Sequence, residues 1–192
     1  MIIDVCAAPG GKSLTTACRM AGKGRVVACD VYEEKTQAMA ARAARLGGDL
    51  IEIRQRDAST PCPDDWVGAF DRVICDVPCS GLGVIRRRPE IRYKAPESFK
   101  DLPQLQYRIL CESAAMVKPG GVLQYSTCTW NPAENEEIAA RFLNEYPDFL
   151  PRPLLALEAA FAAAGQAISH QITLLPSIHG TDGFFIASFT KN

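Results

Sequence analysis

Short apolar runs of strand length alternate along this sequence with longer segments of helical period, and no other feature limits its possible folds so strongly. Strands are expected at 2–6, 25–30, 50–55, 71–76 and 122–127, with helices at 12–22, 33–47, 103–117 and 132–145. Strand followed by helix, repeated, predicts an α/β fold: a mostly parallel twisted sheet with helices on both faces. Gly47-Gly48 is read as closing the second helix, and Pro119-Gly120-Gly121 as the turn into the fifth strand. Pro132 suits the first turn of the fourth helix, behind a cap at Thr129 or Asn131. After an Ala-rich helical stretch near 154–164, Gln171 to Leu175 and Phe184 to Phe189 are expected to pair as an antiparallel hairpin at the sheet edge. With 192 residues, 47% of them hydrophobic, the chain can bury one full core, and residues 1–192 are read as a single domain.

In an open parallel sheet, ligands bind outside the carboxyl ends of the strands, so the polar residues delivered there matter most. The first strand ends in Cys6-Ala7-Ala8-Pro9-Gly10-Gly11-Lys12-Ser13. Its tip has no bulky side chain, so a ligand can lie against backbone N–H groups at a helix N-terminus; the alternative is a tight turn that needs glycine only for its dihedrals. The second strand ends at Asp30, the third precedes Asp57, the fourth ends in Asp76-Val77-Pro78-Cys79 and the fifth in Ser126-Thr127-Cys128. Asp30 and Asp57 could each be a helix cap, but five strand ends carrying polar chemistry on one rim argue for a site. Asp30 lies where an acid can bind ribose hydroxyls, so the expected ligand contains a nucleoside: a phosphorylated one, or S-adenosylmethionine. The phosphate alternative rests on Gly11-Lys12-Ser13, which mimics the end of a nucleotide-binding P-loop, although Cys6 occupies the place of its first glycine.

Two thiols on this rim point to chemistry. Cys128 precedes the helix that Pro132 begins, whose dipole would favour a thiolate, and Cys79 lies in an adjoining glycine-bearing loop. A thiolate added to carbon 6 of a cytosine makes carbon 5 nucleophilic enough to accept a methyl group from a sulfonium, after which a second group must release the thiol. The remaining cysteines are plainer. Eight in a chain without a signal peptide or a C-x-x-C pair read as reduced thiols, with no disulfide framework and no zinc site. Cys18, Cys29, Cys75 and Cys111 are expected in the core. Leu154 to Gly165 is too short for a bilayer and is broken by Glu158, so a cytoplasmic protein is expected, with no membrane partner. The net charge of -1 provides no general attraction for nucleic acid. Any such contact must be local, and the dense basic cluster is Arg86, Arg87 and Arg88 with Arg92 and Lys94, either a solvated loop or a grip on phosphates.

The motifs D-V-C-A-A-P-G-G-K-S, D-V-P-C-S-G and Y-S-T-C-T resemble those of the RNA 5-methylcytosine methyltransferases. Gly83-Val-Ile-Arg-Arg-Arg-Pro-Glu-Ile and Asp182-Gly-Phe-Phe-Ile-Ala make the sequence most similar to the Fmu/Sun (RsmB) type that modifies 16S ribosomal RNA. The resemblance implies a Rossmann-like, S-adenosylmethionine-dependent catalytic domain. It implies that Cys6 to Lys12 with Asp30, Asp57 and Asp76 bind the cofactor, that Cys128 is the nucleophile and that Cys79 assists release of the methylated base. The cysteine of the Pro-Cys motif is the nucleophile in DNA cytosine methyltransferases, so the second thiol at Cys128 argues for RNA. Asp76, Pro78 and Lys12 are then expected at the target base, and Arg86, Arg87, Arg88 and Arg92 at flanking phosphates. The base must leave its stack, which predicts a single-stranded, looped or flipped cytosine. The same resemblance leads us to expect an N-terminal RNA-binding region that this sequence lacks, weak cofactor and RNA binding by this chain alone, and a monomer. A catalytically silent binding module and, more remotely, an NTPase stand as alternatives.

Overall fold

The computed structural model describes residues 1–46 and 48–192. The elements run β1 (Ile2–Asp4), α1 (Gly11–Arg19), β2 (Val26–Asp30), α2 (Glu33–Arg45), β3 (Ile51–Gln55), β4 (Phe70–Asp76), α3 (Leu102–Ala115), β5 (Val117–Thr127), α4 (Glu136–Glu145), β6 (Phe149–Pro151), α5 (Glu158–Ala163), β7 (Gln171–Leu174), α6 (Pro176–His179) and β8 (Phe184–Lys191). They form one sheet in the order β3-β2-β1-β4-β5-β8-β6, with β7 also on β8. The first five strands are parallel and β8 is antiparallel to β5. Strand order reverses between β1 and β4, and a crevice opens at such a reversal, outside the carboxyl ends of the strands.

Both faces of the sheet are covered, and the strand residues divide between them with the period of two that a pleat imposes. Ile3, Val27, Cys29, Val73, Cys75, Leu123 and Tyr125 share the main core with Ile109 and Leu110 of α3 and with Ile138 and Phe142 of α4. Ala28 instead packs with Ala7 and with Met39 of α2. All five residues of β2 are buried, which is why its sequence is continuously apolar up to Asp30.

The structure corrects the sequence reading in several places. The expected antiparallel pair of Gln171–Leu174 and Phe184–Lys191 is present at this side of the sheet, but β8 also pairs with β5 on its inner side and with the short β6, which lies end to end with β7 on its outer side. β6 was not expected, because three residues ending in proline carry no periodic signal; Phe149 anchors it in the core. Pro119-Gly120-Gly121 lies within β5, where the register jumps from Phe70↔Val117 to Arg72↔Val122. α1 stops at Arg19, ahead of two positive-φ residues, Ala21 and Gly22. Cys29 and Cys75 are core residues, but Cys18 is exposed and Cys111 half-buried. Of the expected Gly47-Gly48 stop, Gly47 lies outside the described residues. No described helix is long and apolar enough to cross a membrane.

Candidate active site

The glycine turn is built for a backbone-bound ligand. Gly10 is left-handed at φ 95° and leads into α1, whose start has no side-chain cap and whose first turn carries no acid. Its peptide N–H groups therefore have their positive end free for an anionic group. Asp30, at the end of β2, accepts N–H bonds from Ala8 at 3.3 Å and Tyr32 at 3.2 Å, one on each oxygen. Each oxygen keeps a further lone pair, as recognition of two ribose hydroxyls requires. This donor and acceptor set fits S-adenosylmethionine. Ala7 is buried, and burial pushes the Cys6 thiol well above the ordinary range, so Cys6 contributes backbone to the cradle. Asp57 is exposed after β3 and is held by its own turn: Oδ1 accepts from the Ser59 amide at 2.9 Å and hydroxyl at 2.7 Å, which lowers its pKa.

Ser13, the P-loop-like position, is unsuited to a magnesium ion. Its hydroxyl is buried and donates at 2.7 Å to Asp4, which the sequence reading missed. Burial drives the Asp4 pKa up to about 6, against the lowering effect of the Ser13 bond, with the neighbouring Asp76 adding to the rise.

Lys12 leans across the rim to Asp76. Its Nζ donates to Asp76 Oδ2 at 2.6 Å, while Ser126 Oγ donates to Oδ1 at 2.7 Å, and the ammonium lies 5.5 Å from the centre of the Phe184 ring. Beside them the sulfurs of Cys79 and Cys128 are 3.1 Å apart, although 49 residues separate them in sequence. The parallel pairing of β4 and β5, with Asp76 opposite Ser126, brings the following residues together. Either sulfur can carry the shared proton. With it on Cys79, the donated hydrogen bond outweighs burial and the repulsion of Asp76, lowering the Cys128 pKa to about 7, with a smaller contribution from Lys12. The same bond, with burial, holds Cys79 protonated far above the usual thiol range. Pro132 opens only the short turn Pro132–Glu134, and α4 starts at Glu136, so the run after Cys128 is not the single helix expected from the sequence. The cap itself is as expected, with Asn131 accepting from the Ala133 amide at 3.2 Å.

Both sulfurs open into a cavity of about 420 Å³ that Arg87, Arg88, Glu90 and Lys94 also line. A second space of about 370 Å³ shares Cys79 and Lys94 and is bounded by Phe99 and Leu102. Pro78 is exposed at the rim. Arg92 is exposed on the same segment but does not line either space. Arg86 and Arg87 are not free: both pair with Asp182, Arg86 at 3.7 Å and Arg87 more closely. Next to Asp182, Gly183 N donates to Gly83 O at 2.9 Å, and Gly83 N donates to Cys128 O at 2.9 Å. The loop before β8 is thus stitched to both cysteine loops.

Comparison with known proteins places this arrangement. The family described as 16S rRNA methyltransferase RsmB/F matches residues 1–190. The probable ribosomal RNA small subunit methyltransferase B of Bacillus subtilis is 41% identical over 193 residues, covering 99% of this chain and 43% of that protein. Ribosomal RNA small subunit methyltransferase B of Klebsiella pneumoniae is 37% identical, over 99% of this chain and 42% of its own length. The chain therefore spans less than half the length of these relatives. Among solved structures, a methyltransferase homologue from Pyrococcus horikoshii superposes with a TM-score of 0.80 at 31% identity, over 100% of this chain and 61% of that one. NSun6 from the same organism, solved with SFG, gives 0.79 at 27% identity, over 100% and 47%. The fold is that of S-adenosylmethionine-dependent methyltransferases, and with its paired cysteines, glycine turn and near-complete family match this chain belongs to the 16S rRNA methyltransferase RsmB/F family.

Proposed function

We propose that this chain is the catalytic domain of a cytoplasmic enzyme that transfers a methyl group from S-adenosylmethionine to carbon 5 of a cytosine in RNA, with 16S ribosomal RNA as the substrate. The observation that carries the proposal is the pair of sulfurs 3.1 Å apart at one end of a cavity with basic walls. The α1 N-terminus and Gly10-Gly11 would hold the cofactor's charged amino acid end, and Asp30 its ribose, with Asp57 and Asp76 along the same rim. Bound there, S-adenosylmethionine supplies an electrophilic methyl group.

The chain's own residues do the rest. Cys128, the thiol that ionises near neutrality, adds to carbon 6 of the cytosine; the sulfur–carbon bond forms and the ring's electron pair moves to carbon 5. After methylation a water molecule acting as base takes the carbon 5 proton, the electron pair left behind restores the C5–C6 double bond, and the pair of the C6–S bond leaves on Cys128 as its thiolate, a departure that Cys79 assists by donating a hydrogen bond to that sulfur. Asp76, held between Lys12 and Ser126, would meet the base edge on which charge develops. Arg88 and Lys94, lining the cavity, would grip flanking phosphates of a single-stranded or flipped segment; Arg86 and Arg87 join them once released from Asp182, and Arg92 lies further out.

The test is methylation of 16S ribosomal RNA fragments with labelled S-adenosylmethionine. Cys79→Ala is expected to accumulate a covalent RNA adduct and little free product; Cys128→Ala is expected to yield neither. Methylation unaffected by both substitutions would exclude the mechanism.

A further inference from the structure

Two neighbouring buried residues outside the motifs hold the two cysteine loops. Glu134 is completely buried, and burying a carboxylate is costly unless its oxygens are well supplied with donors. Its Oε2 accepts from the Ser80 amide and from Gln106 Nε2, both at 2.9 Å, and its Oε1 accepts from Asn131 Nδ2 at 3.0 Å. The Gln106 amide nitrogen also donates to Pro78 O at 2.9 Å. The peptide groups on both sides of Cys79 are therefore gripped through Glu134 and Gln106.

Asn135, equally buried, holds the two neighbours of Cys128. Its Oδ1 accepts from Thr127 Oγ1 at 2.6 Å and its Nδ2 donates to Thr129 O at 3.0 Å, the residues on either side of that cysteine. Its backbone, at φ -123° and ψ -97°, breaks the run from the Pro132 turn into α4. Ser80 Oγ closes the frame by donating to Thr129 Oγ1 at 2.9 Å.

We propose that Glu134 and Asn135 are positioning residues, a buried clamp that fixes the loop of Cys79 through its Ser80 peptide group and the loop of Cys128 through the flanking residues Thr127 and Thr129, and so sets the spacing of the two sulfurs. That this spacing serves methyl transfer rests on the function proposed above. The clamp itself is a property of the free protein. Residues needed only to start α4 would have no reason to bond the neighbours of both cysteines. Separating the sulfurs weakens the hydrogen bond that favours ionisation of Cys128, while the other charged groups around the pair, Lys12, Asp76, Arg87, Arg88, Glu90 and Lys94, stay in place.

The experiment follows iodoacetamide labelling of Cys128 against pH by peptide mass spectrometry, with melting temperature and RNA methylation measured in parallel. Thr127→Val removes the hydroxyl that Asn135 holds and keeps the side-chain shape; Glu134→Gln replaces a buried acceptor by a donor. Both are expected to move the labelling midpoint up by about one pH unit and to reduce turnover about tenfold near neutrality, with KM for RNA within about twofold. Thr127→Ser, which restores the hydroxyl, is expected to return the midpoint toward that of the parent chain. A lower melting temperature with an unmoved midpoint in both variants would mark the pair as merely structural and overturn the proposal. A shifted midpoint in a protein whose parent form methylates no RNA would uphold the clamp and remove the reaction assigned to it.

Discussion

At the scale of single residues, the site depends on one proton shared by two sulfurs. In the proposed reaction the reactive form of Cys128 is its thiolate, so turnover should rise with pH through about 7 rather than near the ordinary thiol value of 9.0. In Cys79→Ala the donor to that thiolate is gone, and adduct formation should require a higher pH; pH–rate profiles of adduct yield in the two proteins measure both. Asp4 gives a second pH dependence, in stability. Its pKa is raised in the fold, so between the ordinary carboxylate value of 3.8 and about 6 the folded state holds a proton that the unfolded chain has released. That stabilisation is complete below the unfolded value and is lost as pH rises through 6, amounting to about 3 kcal/mol at about 1.4 kcal/mol per unit. Asp4→Asn should abolish this part of the decline, and urea melts at pH values on either side of the transition would measure it.

At the scale of elements, backbone-to-backbone contact matters more than the helices themselves. A Cβ on Gly83 would lie 2.1 Å from Gly183 O and 2.8 Å from Cys128 O, both main-chain atoms, which cannot give way without moving the loop before β8 and the Cys128 loop. Gly83→Ala is therefore expected to cost about 1–3 kcal/mol and to reduce methylation at least about tenfold. Gly120→Ala is the comparison: its φ of +74° makes alanine strained, but no neighbour lies within 4 Å, so about 1 kcal/mol of stability should go without loss of turnover. Urea denaturation paired with methylation assays separates the two outcomes. The element boundaries follow the same logic: β1 to β4 were legible because each burial pattern is local. β6 and the interior position of β8 were not, because a three-residue strand and a sheet neighbour leave no periodic trace.

At the scale of the whole molecule, the proposed RNA substrate would have to be drawn to a nearly neutral chain by a local field, and the structure divides that field. Asp182 pairs with Arg86 and Arg87, so that of the three cations lining the cavity Arg87 is neutralised while Arg88 and Lys94 carry no ion pair among the described residues. Asp182→Ala should tighten RNA binding and steepen its salt dependence by about 0.7 in the log–log slope for each phosphate contact recovered, whereas Arg88→Ala or Lys94→Ala should flatten it by the same amount. Anisotropy titrations across a salt series would measure these slopes, and no change in Asp182→Ala would show that the ion pairs do not limit binding.

The sequence alone determined the alternating parallel architecture, the glycine turn, and the rim on which Asp30, Asp76, Cys79 and Cys128 fall, because strand period, turn chemistry and strand-end position are local properties of the chain. Tertiary structure alone decided that the sulfurs of Cys79 and Cys128 lie 3.1 Å apart, that Arg86 and Arg87 are held by Asp182, and that Glu134 and Asn135 bond to the cysteine loops. Each of these joins residues remote in sequence or bonds a side chain to backbone groups of another loop. Such contacts arise from the packing of β4 against β5 and of the β8 loop against both, which no local pattern of residues encodes.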